Sequence, residues 1–126
     1  MDGLPNAGGG SSLPIAVDVP KPNYPRNPKS ARFHEILKEL GDLHDKKQMD
    51  YGRAADPFAN VRATEGFGVP AWVGAAMRAN DKMIRIQKFA QDKTLANESV
   101  EDSFRDLAVY AVIGLVLFEE QRDHTS

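Results

Sequence analysis

The feature that most constrains this chain is the run 98–118, where a cluster of acids leads straight into an apolar helix. At about 100° per residue, Glu98, Asp102 and Asp106 share one face, and Val109, Ile113, Val116 and Leu117 continue it. Phe104, Leu107, Ala111, Leu115 and Phe118 form a second apolar face on the other side. A helix apolar on both sides needs neighbours on both. Carboxylates are seldom buried unless they are paired or bound to metal, so acids at the mouth of such a helix suggest a cation site. The positive end of the helix accounts for Glu98, Glu101 and Asp102 without any ion. It does not account for Asp106, which lies more than a turn further on between Arg105 and Leu107; a buried salt bridge is the plainer alternative there.

Length and charge narrow the field. With 126 residues the chain holds one domain, and its net charge of −2 gives no electrostatic reason to expect nucleic acid or an anionic membrane as partner. No cysteine is present, which excludes disulfides and thiolate-bound zinc, and His34, His44 and His124 lack zinc-binding spacing. The apolar stretch 107–118 is too short for a bilayer, which takes about 20 residues, and no signal peptide is expected. The compartment expected is the cytoplasm.

Residues 1–29 contain six of the eight prolines and the run Gly8-Gly9-Gly10-Ser11-Ser12, a composition for a flexible tail or a docking arm rather than a helix. Its apolar piece, 13–19, is the part suited to docking. Residues 30–124 read as the folded domain. A first helix is expected over 30–49, capped by Ser30, with Phe33, Ile36, Leu37, Leu40 and Leu43 at helical spacing. Asp56-Pro57 supplies a cap and a first-turn proline for a short helix over 58–64. A helix over 70–92 and another from Asn97 or Ser99 to Gln121 follow. No segment alternates with the period of a strand. The fold expected is all-α: three long helices and one short one, a bundle completed by oligomerisation.

Two further patterns bear on chemistry. Arg78, Lys82 and Arg85 share one face of the 70–92 helix, with Asp81 beside them. Such a stripe is either a solvated face, a salt-bridge partner for the acids, or a clamp for phosphate oxygens. The apolar stripe of the first helix gives way to His44, Lys47 and Tyr51, as though the buried face opened into a polar pocket. Glu35, Glu39 and Asp42 lie on the opposite, solvated side.

The elements Lys47-Gln48-Met49-Asp50-Tyr51-Gly52, Asp56-Pro57-Phe58-Ala59-Asn60, Asp81-Lys82-Met83-Ile84-Arg85 and Glu98-Ser99-Val100-Glu101-Asp102, with Asp106 and Tyr110 after them, resemble the phage and bacterial nucleotide modification associated domain family. That family is similar in outline to all-α nucleoside triphosphate pyrophosphohydrolases of MazG and dimeric dUTPase type. The resemblance covers roughly 33–120. It implies a helical homo-oligomer, a dimer or higher, that acts on a nucleotide with Mg²⁺, splitting a (deoxy)nucleoside triphosphate to monophosphate and pyrophosphate. It assigns the metal to Glu98, Glu101, Asp102 and Asp106, with Glu101 and Asp106 catalytic. Substrate contacts fall to Lys47, Asp50, Tyr51, Lys82, Arg85 and Tyr110, with Trp72 a further candidate for packing the base. The first acidic pair of the pyrophosphohydrolases has no clean counterpart, because Glu35 and Glu39 are four apart and turned from the core. A non-catalytic nucleotide binder and a helical assembly protein are the alternatives.

Overall fold

The computed structural model describes residues 24–51, 56–96 and 98–125, the side chains of 50, 51 and 125 excepted. The chain divides into two units, Met1–Arg32 and Phe33–Ser126. Most of the tail expected over 1–29, its apolar piece included, lies outside the described residues, as do Gly52 and Asn97. In the first unit the helical cap is Asn27 rather than Ser30. Its side chain accepts from the Lys29 N–H at 2.9 Å, and Pro28 takes the first position of a 3₁₀ turn, Pro28–Ser30, that leads into the first helix.

All the regular structure among the described residues is helical: α1 (Ala31–Tyr51), α2 (Ala59–Arg62), a 3₁₀ turn (Ala63–Phe67), α3 (Ala71–Asp92) and α4 (Val100–Thr125). Asp56 accepts from the Phe58 N–H at 3.0 Å in the turn ahead of α2, but the cap position itself is Phe58, which makes no side-chain hydrogen bond, and the helix starts at Ala59. Gly68, at φ 76°, closes the 3₁₀ turn in a left-handed conformation that glycine adopts without strain. α3 ends where Lys93 takes the same conformation, and its N–H bonds to the Phe89 carbonyl at 2.7 Å. Ser99 starts α4 by accepting the Asp102 N–H on its hydroxyl at 3.1 Å. α4 runs four residues past the expected end. No described helix is long and apolar enough to cross a membrane.

α3 and α4 lie side by side and antiparallel. Trp72 meets Phe118 edge to face at 5.5 Å, Arg78 lies over Tyr110, and Lys82 pairs with Asp106, so each step up α3 is a step down α4. α2 seats against α3 where Gly74 leaves no side chain; a Cβ there would stand 2.7 Å from the Val61 carbonyl oxygen. The buried apolar core is small: Val61, Ala71, Ala75 and Leu117, with Phe58, Trp72, Tyr110 and Ile113 packed on it.

α1 departs from its expected role. None of its described side chains is buried, and Phe33, Leu37 and Leu43 of the expected core stripe are exposed. The helix does not press into the core. It stands off across a groove, tied by His44 stacking on Phe58 at 6.0 Å. The second apolar face of α4 is largely exposed at Phe104, Ala111 and Leu115, with Leu107 half-buried and Phe118 partly covered by Trp72, while Ser103 and Leu117 on its inner side are buried.

Candidate functional site

Two neighbouring arrangements hold most of the residues singled out from sequence. The first is an ion cluster between α3 and α4. Lys82 Nζ lies 3.3 Å from Glu98 Oε1 and 3.1 Å from Asp106 Oδ2, and Arg85 Nη1 adds a longer contact to Glu98 at 3.7 Å. Glu98 precedes the first turn of α4, so helical spacing does not govern where its carboxylate points. It is anchored instead by the Ser103 hydroxyl, which donates to Oε2 at 2.5 Å from a fully buried residue. That hydrogen bond, opposed by partial burial and reinforced by Lys82 and Arg85, holds the Glu98 carboxyl below the usual glutamate value. For Lys82, partial burial works against the charge, but Asp106 and Glu98 outweigh it and raise its pKa. Lys82 and Arg85 of the basic stripe thus neutralise Glu98 and Asp106, while Arg78 lies over Tyr110.

The other acids go elsewhere. Asp102 faces solvent and pairs with Arg105 at 3.3 Å, and Glu101 is exposed. Among the described residues no three His, Asp or Glu side chains stand close enough to hold a metal ion. Magnesium takes several oxygen ligands in a tight octahedron. Two carboxylates already bridged by an ammonium, with the other two turned outward, do not offer that donor set.

The second arrangement is a groove of about 530 Å³ between α1, the start of α2 and α4. His44, Lys47 and Gln48 line it from α1, Asp56 and Asn60 from the α2 side, and Arg105, Asp106 and Tyr110 from α4. The polar end of the α1 stripe does open into a pocket, which Lys47 and Tyr110 both line. Asp106 belongs to both arrangements, lining the groove while it pairs with Lys82. The groove wall on α2 is fixed by Arg62, which bonds Asp56 through Nε and Glu120 of α4 through Nη2 at 3.0 Å.

Asp50 and Tyr51, expected at the substrate, have side chains outside the described residues. Trp72 packs on Phe118 beside the core, and Glu35 and Glu39 are exposed. Sequence reasoning missed Arg105, Gln48 and Asn60 as groove residues and Ser103 as the anchor of Glu98. The one signal for Arg105 was its place a single turn before Val109, on the face that α4 turns to α1. Set against protein-family models, curated proteins and solved structures, the chain matches none.

Proposed function

We propose that this chain is a nucleotide-binding protein whose ligand lies in the groove between α1, α2 and α4. The observation that carries the reading is the convergence there, from three elements, of two cations, two amides and an aromatic ring: Lys47, Arg105, Gln48, Asn60 and Tyr110. The volume, about 530 Å³, falls within the range of small-ligand pockets. Phosphate oxygens suit Lys47 and Arg105. The Gln48 and Asn60 amides carry both donors and acceptors for the edge of a base, and Tyr110 offers a ring face for it. Lys47 has no ion pair among the described residues, so a phosphate there displaces none of their acids. Arg105 must first release Asp102.

Hydrolysis of a nucleoside triphosphate with Mg²⁺ is the more demanding form of the same reading. It requires acids that Lys82 now neutralises to gather round an ion, so binding stands ahead of turnover. The test is a thermal-shift and calorimetric titration of the full chain with nucleoside mono- and triphosphates, with and without Mg²⁺, alongside an assay for released pyrophosphate. At 100 times Kd a ligand stabilises the fold by about 2.7 kcal/mol, several degrees in Tm. Lys47→Ala is expected to weaken binding about tenfold, or roughly 1.4 kcal/mol. If no nucleotide raises Tm or gives heat, the groove is not a nucleotide site; if pyrophosphate appears, the protein is an enzyme.

A further inference from the structure

The outer face of α4 carries Phe104, Ala108, Ala111, Leu115 and Phe118, spaced 4, 3, 4, 3 as in the seam of a coiled coil. Phe104 is 55% exposed, Leu115 58% and Val112, beside them, 59%. Against these stands a core of only four buried apolar side chains among the described residues. A helical domain of this length that leaves its best seam in water gains stability by covering it.

We infer that this face is covered by the same face of a second copy of the chain, running antiparallel. The assignment rests on self-complementarity. In the antiparallel register that sets Ala111 against the partner's Leu115, Ala108 falls against the partner's Phe118. Ala108 and Ala111 then each meet a large side chain, as close packing across a seam requires, and Phe104, at the end of the seam, falls against the aliphatic stem of the partner's Arg122. The same register brings Arg105, on the edge of the seam, alongside the partner's Glu119, and by symmetry Glu119 alongside the partner's Arg105. Both positions are exposed on the isolated chain. A face whose sizes and charges match when it is turned end to end is matched by its own copy, the isologous contact of a two-fold dimer. The parallel alternative stacks Phe on Phe, Ala on Ala, and like charges on each other, which is unfavourable.

The absence of cysteine makes the test direct. Full-length Arg105→Cys and Glu119→Cys chains are co-expressed and treated with a short bismaleimide. An antiparallel seam cross-links the mixture, while each variant alone stays uncoupled, because its two thiols lie roughly 20 Å apart along the axis at 1.5 Å per residue. Cross-linking of each variant by itself indicates a parallel seam and overturns the inference. Light scattering on the wild-type chain is expected to give twice 13.9 kDa, and Leu115→Glu to halve that mass. A wild-type monomer, as when the N-terminal segment or another protein covers the face, overturns the inference, as does a Leu115→Glu variant that remains dimeric. The cross-links decide the matter independently should Leu115→Glu fail to fold.

Discussion

Lys82→Met isolates the contribution of the ion cluster to the contact between α3 and α4. Methionine keeps most of the lysine stem and its packing, so the change removes the charge rather than the volume. The magnitude follows from exposure. Ion pairs in open solvent contribute about 0–1 kcal/mol, whereas breaking a fully buried pair costs about 3–5 kcal/mol. Here the side chains of Lys82 and Glu98 are each 18% exposed and that of Asp106 is 39% exposed. Without the ammonium, Glu98 keeps the Ser103 hydroxyl at 2.5 Å and Arg85 at 3.7 Å, and Asp106 recovers water. The loss therefore falls towards the low end, about 1.5 kcal/mol.

The assay is urea denaturation followed by helical circular dichroism, at one protein concentration for all variants because association would shift the midpoint. With an m-value of about 1.5 kcal/mol/M, the Lys82→Met midpoint falls by roughly 1 M. Asp106→Asn and the double variant complete a cycle, in which the coupling between the two side chains is expected to be about 1 kcal/mol. A midpoint within roughly 0.2 M of wild type, or two substitutions whose effects simply add, would refute the view that Lys82 joins the helices through Asp106.

Two other outcomes are expected. Gly74→Ala places a methyl group 2.7 Å from the Val61 carbonyl oxygen and 2.8 Å from Thr64 Cγ2; overpacking of about 1–3 kcal/mol, less roughly 1 for better helix propensity, lowers Tm by several degrees in a thermal melt, and an unchanged Tm would mean that α2 is free to move. The ion cluster makes stability flat in pH across the neutral range: the Glu98 contribution is complete above 4.5 and lost as pH falls through its depressed value, and the Lys82 contribution is complete below 10.5 and lost as pH rises through its raised value; a Glu98→Gln variant whose acid unfolding matches that of wild type would remove Glu98 from the account.

Much of the helical layout was legible because it depends on neighbours in sequence. Asp56 closes the turn ahead of α2, Pro70 fixes where α3 starts, and Ser99 caps α4 from three residues before Asp102. What was not legible depends on tertiary register. Nothing local tells that Lys82 rather than Arg78 lies opposite Asp106; that follows from the antiparallel offset that also sets Trp72 against Phe118. Helical spacing rightly put Glu98 and Asp106 together, where both meet Lys82, but not Asp102, which pairs with Arg105 in solvent; Glu98 stands ahead of the helix and its direction is set by Ser103. The apolar stripe of α1 was read correctly as a stripe, but periodicity marks which face is apolar and not what it packs against.

The charges round the groove bear on which of its cations a ligand would use. Asp106 is countered by Lys82 from α3, and Asp56 by Arg62 from α2, so two acids that would repel a phosphate are already neutralised from behind the groove wall. Arg105 shares its charge with Asp102, which leaves Lys47 as the groove cation without an ion pair among the described residues. An anion drawn into the groove therefore meets Lys47 at no loss of an ion pair among the described residues, whereas engaging Arg105 breaks one. The same logic assigns Lys82 a supporting part: its removal exposes the Asp106 charge to the groove, so Lys82→Met should weaken an anionic ligand even though Lys82 does not line the cavity. Asp106→Asn in that background should restore affinity, because it removes the repulsion without returning the lysine. A direct phosphate contact by Lys82 predicts the same loss in the single variant but no recovery in the double, which separates the two.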